Sequence, residues 1–302
     1  MMKRRTQGTS AGRAWRIVGL ATAIALAVGC AKQPIIKEAV PTGSKDQVIK
    51  AVNARAKAAR SLVAALSVKL QIQTAKTNQV ENCGGNLAVE YPDRLRIRGK
   101  HDLLDYPPFD VGSDGQTWFW HGHFQDYNEM NYGPTAYLEQ KFEPNALLKP
   151  RDVVMALGIG PIVETAGNSE LLFTRNPGHY LITEVVNNKD GRYVMKRIFI
   201  DPDLMAIIKM ETYRPDGAID MIADMTFDET AKDSSRGVPT GARIRLLRTD
   251  AFMLDLTLKD RKIGESMNPK LFAMPSLEGI KQVKQYGAGA TSETSPKPIF
   301  SK

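Results

Sequence analysis

The side chains in this sequence that could do chemistry are few. His121-Gly122-His123 puts two imidazoles on one face of a strand, with His101, Asp126 and Glu129 as the nearest further ligands. A zinc centre takes three or four protein ligands, so the pair does not make one. The expectation is a wet loop rim beside Trp120 and no metal. Asp220, Asp224 and Asp228 share one strand face, expected to be the solvated side. Asp201-Pro202-Asp203 has the carboxylates of a turn, without the Gly and Glu of a calcium loop. Arg94, Arg96 and Arg98, with Arg243, Arg245 and Arg248, make a solvated basic face or a surface for anionic lipid head groups. G-x-S-x-G occurs as Gly8-Thr9-Ser10-Ala11-Gly12, inside the basic leader, and the sequence contains no H-E-x-x-H and no Gly-rich phosphate loop. No catalytic residue, metal or cofactor is assigned, and the chain reads as a non-enzyme.

Of the two cysteines, Cys83 lies in Asn82-Cys83-Gly84-Gly85, a turn composition, and reads as a partly buried thiol. Cys30 ends an apolar run, Ile17 to Val28, that follows Lys3, Arg4, Arg5, Arg13 and Arg16 with no acid among them. The run is shorter than the roughly 20 residues that cross a bilayer. A charged leader, a short apolar stretch and a small-residue end describe a secretory signal. A buried N-terminal helix and a retained membrane anchor are the other readings of the same residues. The end, Ala27-Val28-Gly29-Cys30, resembles the lipobox of bacterial lipoproteins, with Ala27 where Leu is commoner. That resemblance implies cleavage before Cys30, a diacylglycerol on its thiol and palmitate-type acylation. Residues 1–29 are then a signal peptide, and two or more acyl chains hold Cys30 at a membrane.

The chain carries a net charge of +8, and the five leader cations leave +3 for the remainder. So modest a charge, without a clustered stripe, excludes nucleic acid as the expected partner. With Cys30 acylated, no intramolecular disulfide is possible.

Residues 30–43, with Pro34 and Pro41, read as a tether. Ser44 and Gln47 form a capping box, and Val48, Val52, Ala56, Ala59, Val63 and Leu66 make one helical stripe. The spacing predicts a helix from Lys45 to Ala65. The period then drops to two: Val68, Leu70, Ile72; Leu87, Val89, Tyr91; Leu95, Ile97. This is the alternation of an antiparallel sheet with one wet face. Asp114-Gly115 predicts a hairpin whose returning strand is Thr117 to Trp120. Tyr137–Phe142 and Pro150–Leu157 read as short helices, the second ended by Gly158. Strands are expected again at 171–174, 180–186, 193–200, 206–213, 219–227, 242–247 and 252–258. No long crossover helix separates them, so the sheet is not a βαβ array. Residues 287–302 read as a disordered tail.

Three stretches sharpen the picture: Tyr91-Pro92-Asp93-Arg94-Leu95-Arg96-Ile97, Gly112-Ser113-Asp114-Gly115-Gln116-Thr117-Trp118-Phe119-Trp120, and Asn268-Pro269-Lys270-Leu271-Phe272-Ala273-Met274-Pro275. Together they resemble the LolA/LolB-like lipoprotein-localisation carrier/receptor superfamily, over roughly Ser44 to Val283. The resemblance implies an α+β fold over residues 44–286. Its strongly curved antiparallel sheet, a half-open β-barrel of about ten strands, would be closed by the N-terminal helix and the mid-chain helical insert. It further implies an apolar interior that binds acyl chains of a lipid or lipoprotein, in a bacterial envelope protein anchored at the outer membrane facing the periplasm. The lining candidates are Trp118, Trp120, Met210, Met221, Met225, Phe227, Phe252, Leu254 and Leu256, with methionine suited to an adaptable apolar surface. The same side chains could instead simply pack against the N-terminal helix. A non-catalytic protein-interaction or envelope-stress sensor module is the alternative function, with an envelope protein as partner.

Overall fold

The computed structural model describes residues 40–73, 78–100, 107–124, 127–140, 149–163, 168–189, 191–228, 238–247 and 251–287. All belong to one compact unit, Val40–Lys302. Cys30, the leader, nearly all of the tether, His101, Asp126, Arg248 and the tail beyond 287 lie outside the described residues.

Helix α1 spans Lys45–Ala59 and begins as its sequence dictates. Ser44 Oγ accepts from the Gln47 N–H, and Gln47 Oε1 accepts from the Ser44 N–H. Val48, Val52, Ala56 and Ala59 form its buried face. The helix stops six residues short of the expected Ala65. Arg60 takes φ 33, and strand β1 (Ser61–Gln73) starts at once. Val63 and Leu66 fit a helical stripe, but Leu62, Ala64 and Leu66 fit a period of two equally well. The strand prevails because β1 is paired along both edges, with β2 (Asn78–Glu90) and β13 (Ala251–Ile263).

The remaining strands are β3 (Arg94–Lys100), β4 (Phe109–Asp114), β5 (Thr117–Phe124), β6 (Tyr127–Pro134), β7 (Ser169–Asn176), β8 (His179–Asn188), β9 (Gly191–Asp201), β10 (Ala206–Tyr213), β11 (Ile219–Thr226), β12 (Gly241–Leu247) and β14 (Gln282–Gln285). Fourteen described strands form one sheet in the order β14-β6-β5-β4-β3-β2-β1-β13-β12-β11-β10-β9-β8-β7. Every pairing is antiparallel except the parallel β14–β6 contact. The count exceeds the expected ten or so. In β4, five of six residues are buried, and β6 is buried from Asn128 to Asn131, so neither shows the alternation of a half-wet strand. β14 is too short to show a period. Asn82-Cys83-Gly84-Gly85 is not a turn but the middle of β2. There a Cβ on Gly85 would stand 2.6 Å from the Arg98 carbonyl oxygen, so glycine permits a close strand approach.

Helices α2 (Thr135–Gln140) and α3 (Pro150–Ala156) make the mid-chain insert. Gly158, with φ +73, follows α3 as its sequence suggested. Helix α3 touches β3 and also β10 and β11. In the sheet order β3 and β10 are six strand spacings apart, about 29 Å in a flat sheet at ~4.8 Å each. A helix about 10 Å across meets both only where the sheet curls around it. The sheet order ends at β14 and β7 without a pairing between them among the described residues.

The three stretches that carried the family resemblance meet on the outer face. Asp114 Oδ1 accepts from the N–H groups of Gln116 (2.9 Å) and Thr117 (2.7 Å) in the β4–β5 hairpin, with Gly115 at φ +93. Arg96 grips Asp110 through Nε (3.0 Å) and Nη2 (2.6 Å) and donates from Nη1 to the Leu271 and Ala273 carbonyls. Its guanidinium also lies 5.6 Å over the Phe119 ring. Pro269–Phe272 forms a 3-10 turn, and Phe272 is fully buried. The segment after β13 is thus strapped across β3 and β4 before it reaches β6.

Asp110 is 2 % exposed, so its carboxylate depends on this guanidinium. Arg96→Ala is expected to cost about 3 kcal/mol in denaturant unfolding and to expose residues 265–287 to amide exchange before β1. Unchanged stability would show that Phe272 and the β14–β6 pairing hold the strap without Arg96.

Candidate functional site

The inner face of the sheet is built from the alternate residues of each strand. Register places Ile182, Ile198, Met210, Ala223, Ile244, Leu254 and Leu70 side by side across seven consecutive strands. All seven are buried. A neighbouring row runs Glu184, Lys196, Thr212, Met221, Leu246, Phe252 and Ile72. A third joins Met225, Ala242, Leu256 and Val68. The lining candidates on β10 to β13 therefore do share one surface. Met210, Met221, Met225, Leu254 and Leu256 belong to one apolar cluster, and Phe227 is packed against it. Phe252 takes its place by register, and its side chain lies outside the described residues. Ala223 and Ala242 are the short side chains of these rows, each beside larger ones, and both are buried.

Trp118 and Trp120 lie on the opposite wing, on the inner face of β5, in the same cluster. Trp120 stacks on Phe109 at 6.3 Å, and Trp118 meets Tyr286 at 5.5 Å. Between the wings lie the apolar side chains of α1 and of α3 with its following turn: Val48, Val52, Val153, Met155, Leu157 and Ile159. Met210, Met221, Met225, Leu254, Leu256, Trp118 and Trp120 are buried in the same cluster as these helix side chains and are not open to solvent.

Polar groups fix the helices in place. Lys196 Nζ, on the inner face of β9, donates to Asp152 Oδ1 of α3 at 2.8 Å, and both are nearly buried. Burial alone would raise the Asp152 carboxyl, but the Lys196 ammonium outweighs it and holds the group below the ordinary carboxylate range. Asn53 of α1 clasps the chain beyond α3, donating to the Ile162 carbonyl (3.0 Å) and accepting from its N–H (2.7 Å). On the far wing Asn131 Nδ2 (2.9 Å) and Lys284 Nζ (2.7 Å) both donate to Glu129 Oε1, and Tyr286 donates to Asn131 Oδ1 (3.2 Å). Of these inner charges the sequence singled out only Glu129, and as a neighbour of the histidine pair rather than as a partner of Lys284. Glu184 and Lys196 carry a usable signal, because each falls in phase with the buried residues of its strand, beside Ile182 and Ile198.

The histidines lie elsewhere. His121 and His123 share the outer face of β5, with rings 6.1 Å apart. The wet-rim expectation fails for His121, which is buried and contacts Asn128 through Nε2. Burial, then the neighbouring His121 and Lys281, lowers the His123 pKa. Among the described residues no three His, Cys, Asp or Glu side chains come together to hold a metal ion. Asp220 is buried and not solvated, whereas Asp224 pairs with Arg245 at 2.7 Å. Arg243 pairs with Asp255, and Arg94 with Glu90, so these arginines do not form an open basic patch. Burial raises the Cys83 thiol pKa. Among the described residues no helix is long and apolar enough to cross a membrane.

No family model matches the chain, and no curated protein does. It is similar to several solved structures. One is an outer membrane lipoprotein-sorting protein domain from Vibrio parahaemolyticus, at 10 % identity and TM-score 0.47, covering 74 % of this chain and 94 % of that one. Another is a LolA superfamily protein from Nitrosomonas europaea, at 9 % and 0.44, covering 75 % and 97 %. A third is a DUF1329 family protein from Desulfovibrio piger, at 8 % and 0.46, covering 77 % and 98 %. The likeness is one of chain course and transfers no residue role.

The Asp152–Lys196 pair gives a pH test. A depressed carboxylate adds stability that is present above about pH 4 and is lost as pH falls through its lowered folded value. Asp152→Asn is expected to lower stability at pH 7 by about 3 kcal/mol and to shrink the difference from wild type below pH 3. Urea midpoints measured across that range check it. A constant difference would mean that the ion pair is not the source.

Proposed function

We propose that this chain is an envelope lipoprotein, anchored through an acylated Cys30, whose half-barrel interior receives an acyl chain of a lipid or lipoprotein for carriage or insertion at the outer membrane. The observation that carries this reading is the apolar row across seven strands, from Ile182 through Met210 and Ala223 to Leu70, beneath an apolar helix held at few polar points. Each methylene moved from water into such a lining is worth about 0.8 kcal/mol, so one chain gives useful affinity. Methionine and short side chains together make a surface that can repack around an occupant. The helical insert is the element that must yield, because it covers the lining and is tied down by Asp152 and by Ile162.

One observation favours a second reading, a protein-interaction or sensor module with a solid core. The lining side chains are already covered by α1 and α3. A direct experiment separates the two. The chain has three tryptophans, Trp15, Trp118 and Trp120. In a Trp15→Phe protein the remaining emission comes from the interior, and a phospholipid brominated along its acyl chain is expected to quench it in a saturable way. No quenching, with no acyl lipid co-purifying on native mass spectrometry, would establish the filled module.

The anchor is tested separately. Radiolabelled palmitate is expected to enter the wild-type chain and to be lost in Cys30→Ser, with the mature N-terminus at residue 30. A mature chain that begins elsewhere, unlabelled, would remove the anchor.

A further inference from the structure

We infer that the indole N–H of Trp118 is the hydrogen-bond donor for the ester carbonyl at the head of a bound acyl chain, at the β5–β6–β14 corner of the interior. The inference rests on the acyl-binding reading and says which end of the interior takes the polar end of the ligand.

Trp118 is 7 % exposed and belongs to the apolar cluster. Its Nε1 is buried and has no hydrogen-bond acceptor among the described residues. Folded proteins leave few buried donors in that condition, since the lost water is not replaced. The polar groups beside it are already committed to one another. Tyr286 donates to Asn131, Asn131 donates to Glu129, and Lys284 donates to the same Glu129 oxygen. That chain of bonds leads inward from Lys284, which is 35 % exposed, to Tyr286 against the Trp118 ring. Opposite Trp118 on β6 stands Gly133, where a Cβ would come 2.8 Å from the Tyr286 carbonyl oxygen. The glycine lets Tyr286, which continues β14 alongside β6, approach Gly133 closely and form the wall of the corner. The result is amphipathic: polar groups toward the sheet edge, apolar rows toward the centre, and one spare donor at the junction.

The occupant that fits is a neutral acceptor on an apolar chain. A carboxylate or phosphate placed there would lose its water without gaining a free cation, because Lys284, the cation of this bonded chain, is already paired with Glu129 at 2.7 Å. An ester carbonyl brings an acceptor without a charge, and its chain continues into the lining. Both a free glycerolipid and a diacylglyceryl-cysteine peptide present that group, and the test includes each.

The experiment uses the full chain and four ligands: a diacyl phosphatidylglycerol, its dialkyl ether counterpart, a diacylglyceryl-cysteine peptide and its dialkyl ether counterpart. Wild type is expected to prefer an ester over its ether by roughly fivefold, the worth of one net hydrogen bond. Trp118→Phe, which keeps a ring and removes the donor, is expected to bind ester and ether equally, near the wild-type ether affinity. A measurement on the unaltered protein stands beside the variant: the indole 15N–1H resonance of Trp118 is expected to move downfield with an ester and not with an ether. Ester preference with either ligand class supports the inference. Binding of all four without preference, or a Trp118 resonance that ignores the ester, overturns it and leaves acyl binding intact. Binding of none removes the acyl-binding reading and this inference with it.

Discussion

The structure depends on one geometrical demand: a short apolar helix, α3, must bury itself against both wings of a single long sheet. Val153, Val154, Met155, Ala156 and Leu157 carry little polar surface to leave in water, and all are buried. No flat sheet could cover them from both sides. The curl of the sheet, the inward set of apolar residues and the closeness of strands far apart in the order are consequences of that burial. The hydrophobic term supplies the drive, and the close approaches at Gly85 and Gly133 let the strands comply. A sheet of this size, whose two end strands do not pair with each other among the described residues, relies on twist and covered faces rather than closure to stay intact.

Within that frame the interior polar groups have a distinct task. A purely apolar interface between helix and sheet would fix neither register nor orientation. Lys196 with Asp152, and Asn53 with Ile162, each specify one placement of the insert, because a buried charge or amide displaced from its partner is costly. The same few bonds are what an occupant would have to disturb, so the insert is held at points and not along a continuous seam. On the outer face the Arg96–Asp110 grip does comparable work for the C-terminal strap, and so ties together three segments distant in sequence.

Much of the fold was legible in the sequence. The capping box at Ser44, the Asp114-Gly115 hairpin, the helix ended by Gly158 and most of the strands on the 169–263 side were visible because local bonds and a period of two fix them. The parts that were misread share a cause. Ser61 to Leu66 fits helix and strand alike, and pairing on both edges decided for strand. β4 and β6 are buried too continuously to alternate, and β14 is four residues long. The glycines of β2 suggested a turn until the nearness of β3 explained them. Phase along each strand put Met210, Met221, Met225, Leu254 and Leu256 on one face of the sheet, and that face is the buried one.

The sequence by itself determined the apolar phase of each strand, the start of α1 and the signal-like run that ends in Cys30, because these depend on neighbours a few residues away. Only the tertiary structure decided that Lys284 would meet Glu129, that Tyr286 would meet Asn131 and the Trp118 ring, or that Lys196 would meet Asp152. Those partners stand far apart along the chain, and their meeting follows from register and curvature, which no short stretch of residues encodes.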